Sequence, residues 1–142
     1  MTDALHDDLH DDLRIAVLRL GRRMRLERVD GDVTDGQLSV LFVLAKHGPQ
    51  TLGSLSDYDR VSAPSMNRTV NRLVGNGLVT RESSPEDGRK VLIDLTAAGQ
   101  AIVTETKARR AAWFAQQLST LSVEQLAVLD AAAPIMSGLA DS

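Results

Sequence analysis

The stretch NRLVGNGLVTRESSPEDGRKVLIDLTAAG, residues 71–99, contains two short runs of β-forming residues on either side of a loop with Pro, Asp and Gly. The first run is LVTRE, residues 78–82, and the second is KVLIDL, residues 90–95. Such a pair predicts a β-hairpin. The residues expected to share one face of its second strand are Val91, Ile93 and Leu95.

The residues around this hairpin predict helices. Apolar side chains recur at helical spacing before and after it, and a Ser or Thr stands where each of five helices would begin. These candidate N-caps are Thr34, Thr51, Ser62, Thr96 and Ser122. A long first helix is expected to continue to about Arg28, and Pro134 is expected to kink or shorten the last one. The predicted fold is mainly α with a small β-hairpin.

The composition is that of a soluble globular protein. The 142 residues are 43% apolar and 25% charged. Apolar stretches such as residues 38–45 are far shorter than the roughly 18 residues that span a bilayer, and the N-terminus is acidic, unlike a signal peptide. We therefore expect a cytoplasmic protein without a membrane partner. The chain has no cysteine, which excludes disulfides, thiol nucleophiles and thiolate zinc sites.

The net charge of -3 hides an asymmetry along the chain. Residues 1–12 contain Asp but no Lys or Arg, whereas residues 60–90 carry a charge of about +3. A local positive surface on a mildly acidic protein indicates an anionic partner that meets one face.

The helix that begins after Ser62 has an unusual outward face. With roughly 100° per residue, an apolar stripe around Met66 lies opposite a group of polar side chains. This outward group is Ser65, Arg68, Asn71 and Arg72. Arginine suits guanine and asparagine suits adenine in a major groove, although many polar helix faces are simply solvated. The short helix before it makes a helix-turn-helix, in which the second helix enters the groove.

The hairpin loop places Arg89 just beyond its tip. An arginine at this position suits a minor groove, where narrow A/T-rich geometry concentrates negative potential. The simpler alternative is that Asp87-Gly88 makes the turn and that Arg89 keeps the loop soluble.

Residues 71–99 resemble the wing region of the multiple antibiotic resistance regulator (MarR) family of winged helix-turn-helix transcription factors. The matching residues are Leu73, Gly77, Leu78, Val79, Arg81, Asp87, Arg89, Leu95, Thr96 and Gly99. The resemblance implies that Ser65, Arg68 and Arg72 belong to the recognition helix. It also implies that Arg89 is a minor-groove arginine oriented by Asp87, with Arg81 as a further candidate.

The resemblance covers essentially the whole chain and implies one MarR-like domain over residues 1–142. Its dimerisation helices would be about 4–30 and 96–140, and its winged helix-turn-helix about 34–95. It also implies a homodimer and a small, often anionic aromatic effector, for which candidate residues are Arg14, Arg25 and Trp113. No cofactor is implied.

Apolar residues near both ends support a homodimer independently, because they exceed what one small domain readily covers. They are Leu5, Leu9, Leu13, Leu126, Leu129, Ile135, Met136 and Leu139. Two-fold symmetry then predicts a pseudo-palindromic site on double-stranded DNA. The function predicted is a DNA-binding regulator, a dimeric repressor released by a ligand. The alternative is a winged-helix module that binds proteins without specific DNA binding.

Two other classes of function have little support. His6 and His10 share a helix face with nearby carboxylates, but an acidic, solvated helix start explains them better than a metal site. An enzyme is not predicted, since no Ser/His/Asp spacing, glycine phosphate loop or carboxylate pair stands out and His47 is isolated.

Overall fold

The computed structural model describes residues 2–29, 31 and 33–142, with side chains from residue 6 onward. The described residues form six helices and one two-stranded hairpin. In chain order these elements are α1 (Thr2–Arg25), α2 (Asp35–His47), α3 (Leu52–Asp59), α4 (Ala63–Gly75), β1 (Val79–Ser83), β2 (Val91–Leu95), α5 (Ala97–Leu118) and α6 (Val123–Ala140). The predicted class, mainly α with a small hairpin, is confirmed.

The chain forms two compact units. One contains the chain up to Met24 together with Arg109–Ser142, and the other contains Arg25–Ala108. The second unit therefore holds α2, α3, α4, the hairpin and the first part of α5.

The core of the Arg25–Ala108 unit is built from aliphatic side chains of α2, α3, α4, the hairpin and α5. Its fully buried members include Leu41, Leu55, Met66, Val70, Leu73, Val79, Ile93 and Val103. Fully burying one such side chain contributes about 1.5–3 kcal/mol, so these contacts dominate the free energy of folding. They also fix the position of α4, whose opposite face stays in solvent.

The five predicted helix N-caps are confirmed. The side chain of each cap accepts a hydrogen bond from the backbone N–H three residues later, which satisfies a donor that the helix itself cannot pair. The pairs are Thr34 with Gln37, Thr51 with Ser54, Ser62 with Ser65, Thr96 with Gly99 and Ser122 with Gln125. At Thr34 and Ser122 the side chain of the third residue also bonds back to the cap, which completes a capping box.

The predicted hairpin is confirmed, with β1 shifted by one residue and β2 beginning one residue later than predicted but ending at Leu95 as predicted. β1 and β2 are antiparallel, with Val79 opposite Leu95 and Arg81 opposite Ile93. Ile93 is buried and Leu95 partly buried, whereas Val91 near the tip is exposed, so burial along this face fades toward the loop. A further bridge pairs Gln50 with Ile93 through two backbone hydrogen bonds of 2.7 and 3.0 Å.

The first and last helices differ from the prediction at their ends. α1 stops at Arg25 rather than near Arg28. α6 is not shortened at Pro134 but continues to Ala140, because a proline removes one backbone hydrogen bond without necessarily ending a helix. By length and composition, α6 is also long and apolar enough to cross a membrane, with a mean hydropathy of 1.2 over 18 residues. The expectation that apolar stretches fall far short of that length is wrong for α6.

Candidate nucleic-acid interface

Local interactions define where helix α4 begins and ends. Ser62 caps its start, and Pro64 lies in the first turn, where the missing N–H has no partner to lose. Its end is a glycine-dependent stop, in which Leu78 N–H bonds to Leu73 O and Gly77 N–H bonds to Val74 O. Gly77 has φ 72°, a left-handed conformation that glycine adopts without strain. Asn76-Gly77 is therefore the stop of α4.

The turn between α3 and α4 is tight. Arg60 is the C-cap of α3 and has a left-handed backbone, φ 54° and ψ 44°, which is uncommon for a residue with a side chain. Val61 N–H closes the turn onto Ser56 O at 3.1 Å. The hydroxyl of Ser39 on α2 donates to Asp59 Oδ1 at 2.7 Å, which fixes the end of α3.

The two faces of α4 differ sharply in burial. Met66, Val70 and Leu73 are between 0% and 1% exposed, whereas Arg68 and Arg72 are exposed. Within the described part of the chain, neither guanidinium has a hydrogen-bond or ion-pair partner. Ser65, in the first turn, is half-buried. Two free guanidinium groups, opposite a buried stripe, are available to an anionic partner.

Arg81 on β1 connects the hairpin to α4. Its Nη2 donates to Asn71 Oδ1 at 2.7 Å and to Asn67 Oδ1 at 2.9 Å. Sequence reasoning selected Arg81 and Asn71 but missed Asn67. The i, i+4 spacing of the two asparagines was a visible signal that they share one side of the helix. The sequence does not show that Arg81 contacts both asparagines.

The hairpin loop is organised by Ser84 and Asp87. The Ser84 hydroxyl accepts from the N–H groups of Glu86 and Asp87, and Asp87 Oδ1 accepts from the N–H of Arg89 at 3.1 Å. Asp87 thus contacts the backbone of Arg89, whereas the guanidinium of Arg89 is exposed and has no partner among the described residues. Arg81 contacts the asparagines of α4.

The three candidate effector-binding residues have different surroundings. Arg14 is exposed on α1 and pairs with Asp11 at 3.2 Å. Trp113 on α5 is partly buried, and the guanidinium that lies over its ring, 4.8 Å from the centroid, belongs to Arg23. Arg25 is exposed and belongs to the other unit. Sequence reasoning missed Arg23, because helical spacing does not specify which arginine of α1 meets a ring on α5.

The rings of His6 and His10 meet edge to face, with centroids 6.3 Å apart. Among the residues that the structure describes, no group of three or more His, Asp or Glu side chains is placed to hold a metal ion.

The three short helices α2, α3 and α4, followed by a hairpin with an exposed arginine loop, define a winged helix-turn-helix protein of the DNA-binding class. The MarR family profile matches residues 33–91. The chain belongs to the MarR family, and it is a DNA-binding transcriptional regulator. This family consists of transcriptional regulators rather than enzymes.

Similar proteins support this assignment. The chain is 38% identical to the uncharacterized HTH-type transcriptional regulator Mb0904 of Mycobacterium bovis, over 94% of this chain and 93% of that protein. It is 28% identical to the HTH-type transcriptional repressor MdtR of Bacillus subtilis, over 84% and 80% of the two chains. A MarR family protein from Bacillus stearothermophilus has the same fold, with a TM-score of 0.86, 25% identity and coverage of 100% and 99%.

Proposed function

We propose that the protein is a dimeric transcriptional repressor that binds a pseudo-palindromic site on double-stranded DNA and is released by a small anionic aromatic ligand. The observation that carries the DNA-binding part is the pair of exposed, unpartnered guanidinium groups of Arg68 and Arg72, opposite the buried stripe of α4. The guanidinium group of arginine can donate two hydrogen bonds to the acceptors of guanine, so in this proposal α4 is the helix that contacts base edges in the major groove. The wing, with Arg89 at its loop, follows the minor groove.

The other predicted DNA contacts have distinct roles in this proposal. Ser65 lies in the first turn of α4, where backbone N–H groups attract a phosphate. Asn71 reads a base edge, and Arg81 positions it. Asp87 orders the wing loop through the backbone of Arg89. The relative MdtR is a transcriptional repressor, which supports repression rather than activation.

Helix α6 supports the dimer. With roughly 100° per residue, its aliphatic side chains form a stripe, and Asp130 and Ser137 lie on the other side. The stripe consists of Val128, Leu129, Ile135, Met136 and Leu139, all of which are exposed in the single chain. Exposed apolar surface of this extent indicates a binding partner. A second copy of the chain covers this stripe in the proposal, and the protein stays in the cytoplasm.

The partly buried Trp113 marks the ligand site in this proposal. Its ring already stacks with a guanidinium from α1, so the surroundings combine an aromatic face with positive charge. An aromatic carboxylate suits such surroundings, with Arg14 of the same unit as a further cationic candidate. Because the chain has one tryptophan, its fluorescence reports on this site alone.

Selection of genomic DNA fragments on the purified protein, followed by titration of the enriched fragment, tests the proposal. We expect enrichment of an inverted repeat and affinity that falls steeply as salt rises, because phosphate contacts release counterions. Benzoate should quench the tryptophan and weaken DNA binding together. Enrichment of no sequence over bulk DNA would contradict specific binding, and a response of Trp113 without DNA release would contradict the ligand part.

A further inference from the structure

The contact of Arg81 with Asn67 and Asn71 restricts what the asparagines can offer to a base. Arg81 stands opposite Ile93 in the hairpin, and directly paired residues of antiparallel strands point to the same side of the sheet. Ile93 is buried in the core, so the Arg81 side chain emerges on the core side, toward α4. One nitrogen, Nη2, reaches both amide oxygens at 2.7 and 2.9 Å.

The chemistry of the partners determines which way each amide faces. A guanidinium carries only N–H donors, so the atom that an asparagine turns toward it has to be the carbonyl oxygen. Neither amide nitrogen has a hydrogen-bond partner within the described residues. The NH2 groups are therefore the free ends of Asn67 and Asn71, and Asn71 is the more exposed of the two.

A donor-only asparagine selects different bases from a free one. A free asparagine pairs with adenine through both ends of its amide, with the oxygen accepting from N6 and the nitrogen donating to N7. An NH2 group alone complements edges that present acceptors, which are O6 and N7 of guanine and O4 of thymine, whereas adenine offers N7 only beside its N6 amine. The NH2 group is repelled by the exocyclic amines of adenine and cytosine.

We propose that Arg81 is a specificity-positioning residue that locks Asn71 with its NH2 group toward DNA, so that Asn71 selects a keto base, guanine or thymine, in each half-site. Asn67 is the second anchor that holds the Arg81 guanidinium against α4. This inference rests on the proposed function, in which α4 reads the major groove. It differs from the expectation from the sequence that the asparagine would suit adenine.

Selection from a randomised operator library, with the wild-type protein and four variants, tests the proposal. Asn71→Ala should abolish the preference at one position of each half-site, and that position should favour guanine or thymine over adenine by about tenfold in the wild type. Arg81→Met keeps an unbranched apolar side chain but removes the donors, so Asn71 can rotate. Discrimination against adenine at that same position should then fall to within about twofold.

Arg81→Lys is the matched control, since an ammonium group also has donors only and should keep the keto preference. Circular dichroism verifies that each variant folds. An adenine preference at the position that depends on Asn71 would overturn the proposal. So would an Arg81→Met protein that binds all operators more weakly with unchanged base preferences, because a merely structural brace would behave in that way.

Arg68→Ala separates this inference from the proposed function. If Arg68→Ala alters the base preference at the operator position that Arg68 contacts while Arg81→Met alters none, only the proposed orientation of Asn71 by Arg81 is wrong. If no variant changes any preference, including Arg68→Ala, the reading role of α4 fails and the lock fails with it.

Discussion

Gly99 at the start of α5 packs so closely against the carbonyl oxygen of Leu78 that a Cβ atom at position 99 would overlap this oxygen. The same oxygen accepts a hydrogen bond from Thr96 N–H at 3.1 Å, and the Thr96 hydroxyl donates to Gly77 O at 2.6 Å. The beginning of α5 is therefore attached to the residues that lead from α4 into the wing. Only a residue without a side chain permits this approach.

Gly99→Ala should destabilise the fold. Neither the backbone of Leu78 nor the helix can move without breaking these hydrogen bonds, so the free energy of unfolding should fall by about 2–3 kcal/mol. Gly53→Ala on α3 is the control, because nothing lies within 4 Å of its added Cβ. That variant should be as stable as the wild type or slightly more stable. Urea denaturation at one fixed protein concentration measures both, and equal midpoints for Gly99→Ala and wild type would contradict the close contact.

Arg60→Gly should stabilise the protein. The left-handed backbone of Arg60 is strained by roughly 1–2 kcal/mol, because the residue has a Cβ. Glycine adopts this conformation without strain, but it loses more conformational entropy on folding. We expect a net gain of about 0.5–1 kcal/mol in the free energy of unfolding. Arg60→Ala keeps the Cβ and should give no gain, which makes it the matched control. A thermal melt in which both variants behave alike would refute the backbone explanation.

Arg68→Ala and Arg72→Ala should each weaken specific DNA binding by about 1–3 kcal/mol if the arginine makes a bidentate base contact. Thermal stability should stay the same, because both side chains are exposed and unpartnered in the described part of the chain. Fluorescence anisotropy on the selected operator gives the affinities. A variant that binds the operator like the wild type would show that its arginine is not a reader.

Arg89→Ala should weaken binding and reduce the preference for A/T pairs at the outer positions of each half-site, because an arginine in the minor groove senses its width and potential. Asp87→Ala should act in the same direction but less, since Asp87 holds only the backbone N–H of Arg89. Titrations on operators with A/T or G/C flanks at several salt concentrations measure this effect. Equal losses on both flanks, with a salt slope reduced by about one, would mean that Arg89 contacts phosphate instead.

Ile135→Glu should convert the protein from a dimer into a monomer at micromolar concentration. Ile135 is 66% exposed in the single chain and lies in the middle of the apolar stripe of α6. Burying a carboxylate there would cost more desolvation free energy than the apolar contact of the dimer contributes. Ser137→Glu, on the other side of α6, should leave the dimer intact. Sedimentation velocity distinguishes the two variants. A wild-type protein that is a folded monomer would contradict the proposed dimer and, with it, the proposed palindromic operator.

Local chemistry in the sequence was enough to predict the helix starts and the hairpin. Ser62 and Thr96 form their caps with backbone groups three residues away, and Asn76-Gly77 ends α4 through bonds within one turn. The outward direction of Arg68 also followed from helical periodicity alone, because a buried stripe specifies its opposite face. All of these features depend on neighbours in the chain.

Tertiary structure decided the relationships between residues distant in sequence. Periodicity places Asn71 on the outer side of α4 but cannot show that Arg81 donates to its amide oxygen. It likewise cannot show that Arg23 meets Trp113, or that Gly99 touches Leu78. The physical reason is that a pattern of apolar residues specifies which face of an element is buried, whereas partners across elements depend on how the whole core packs.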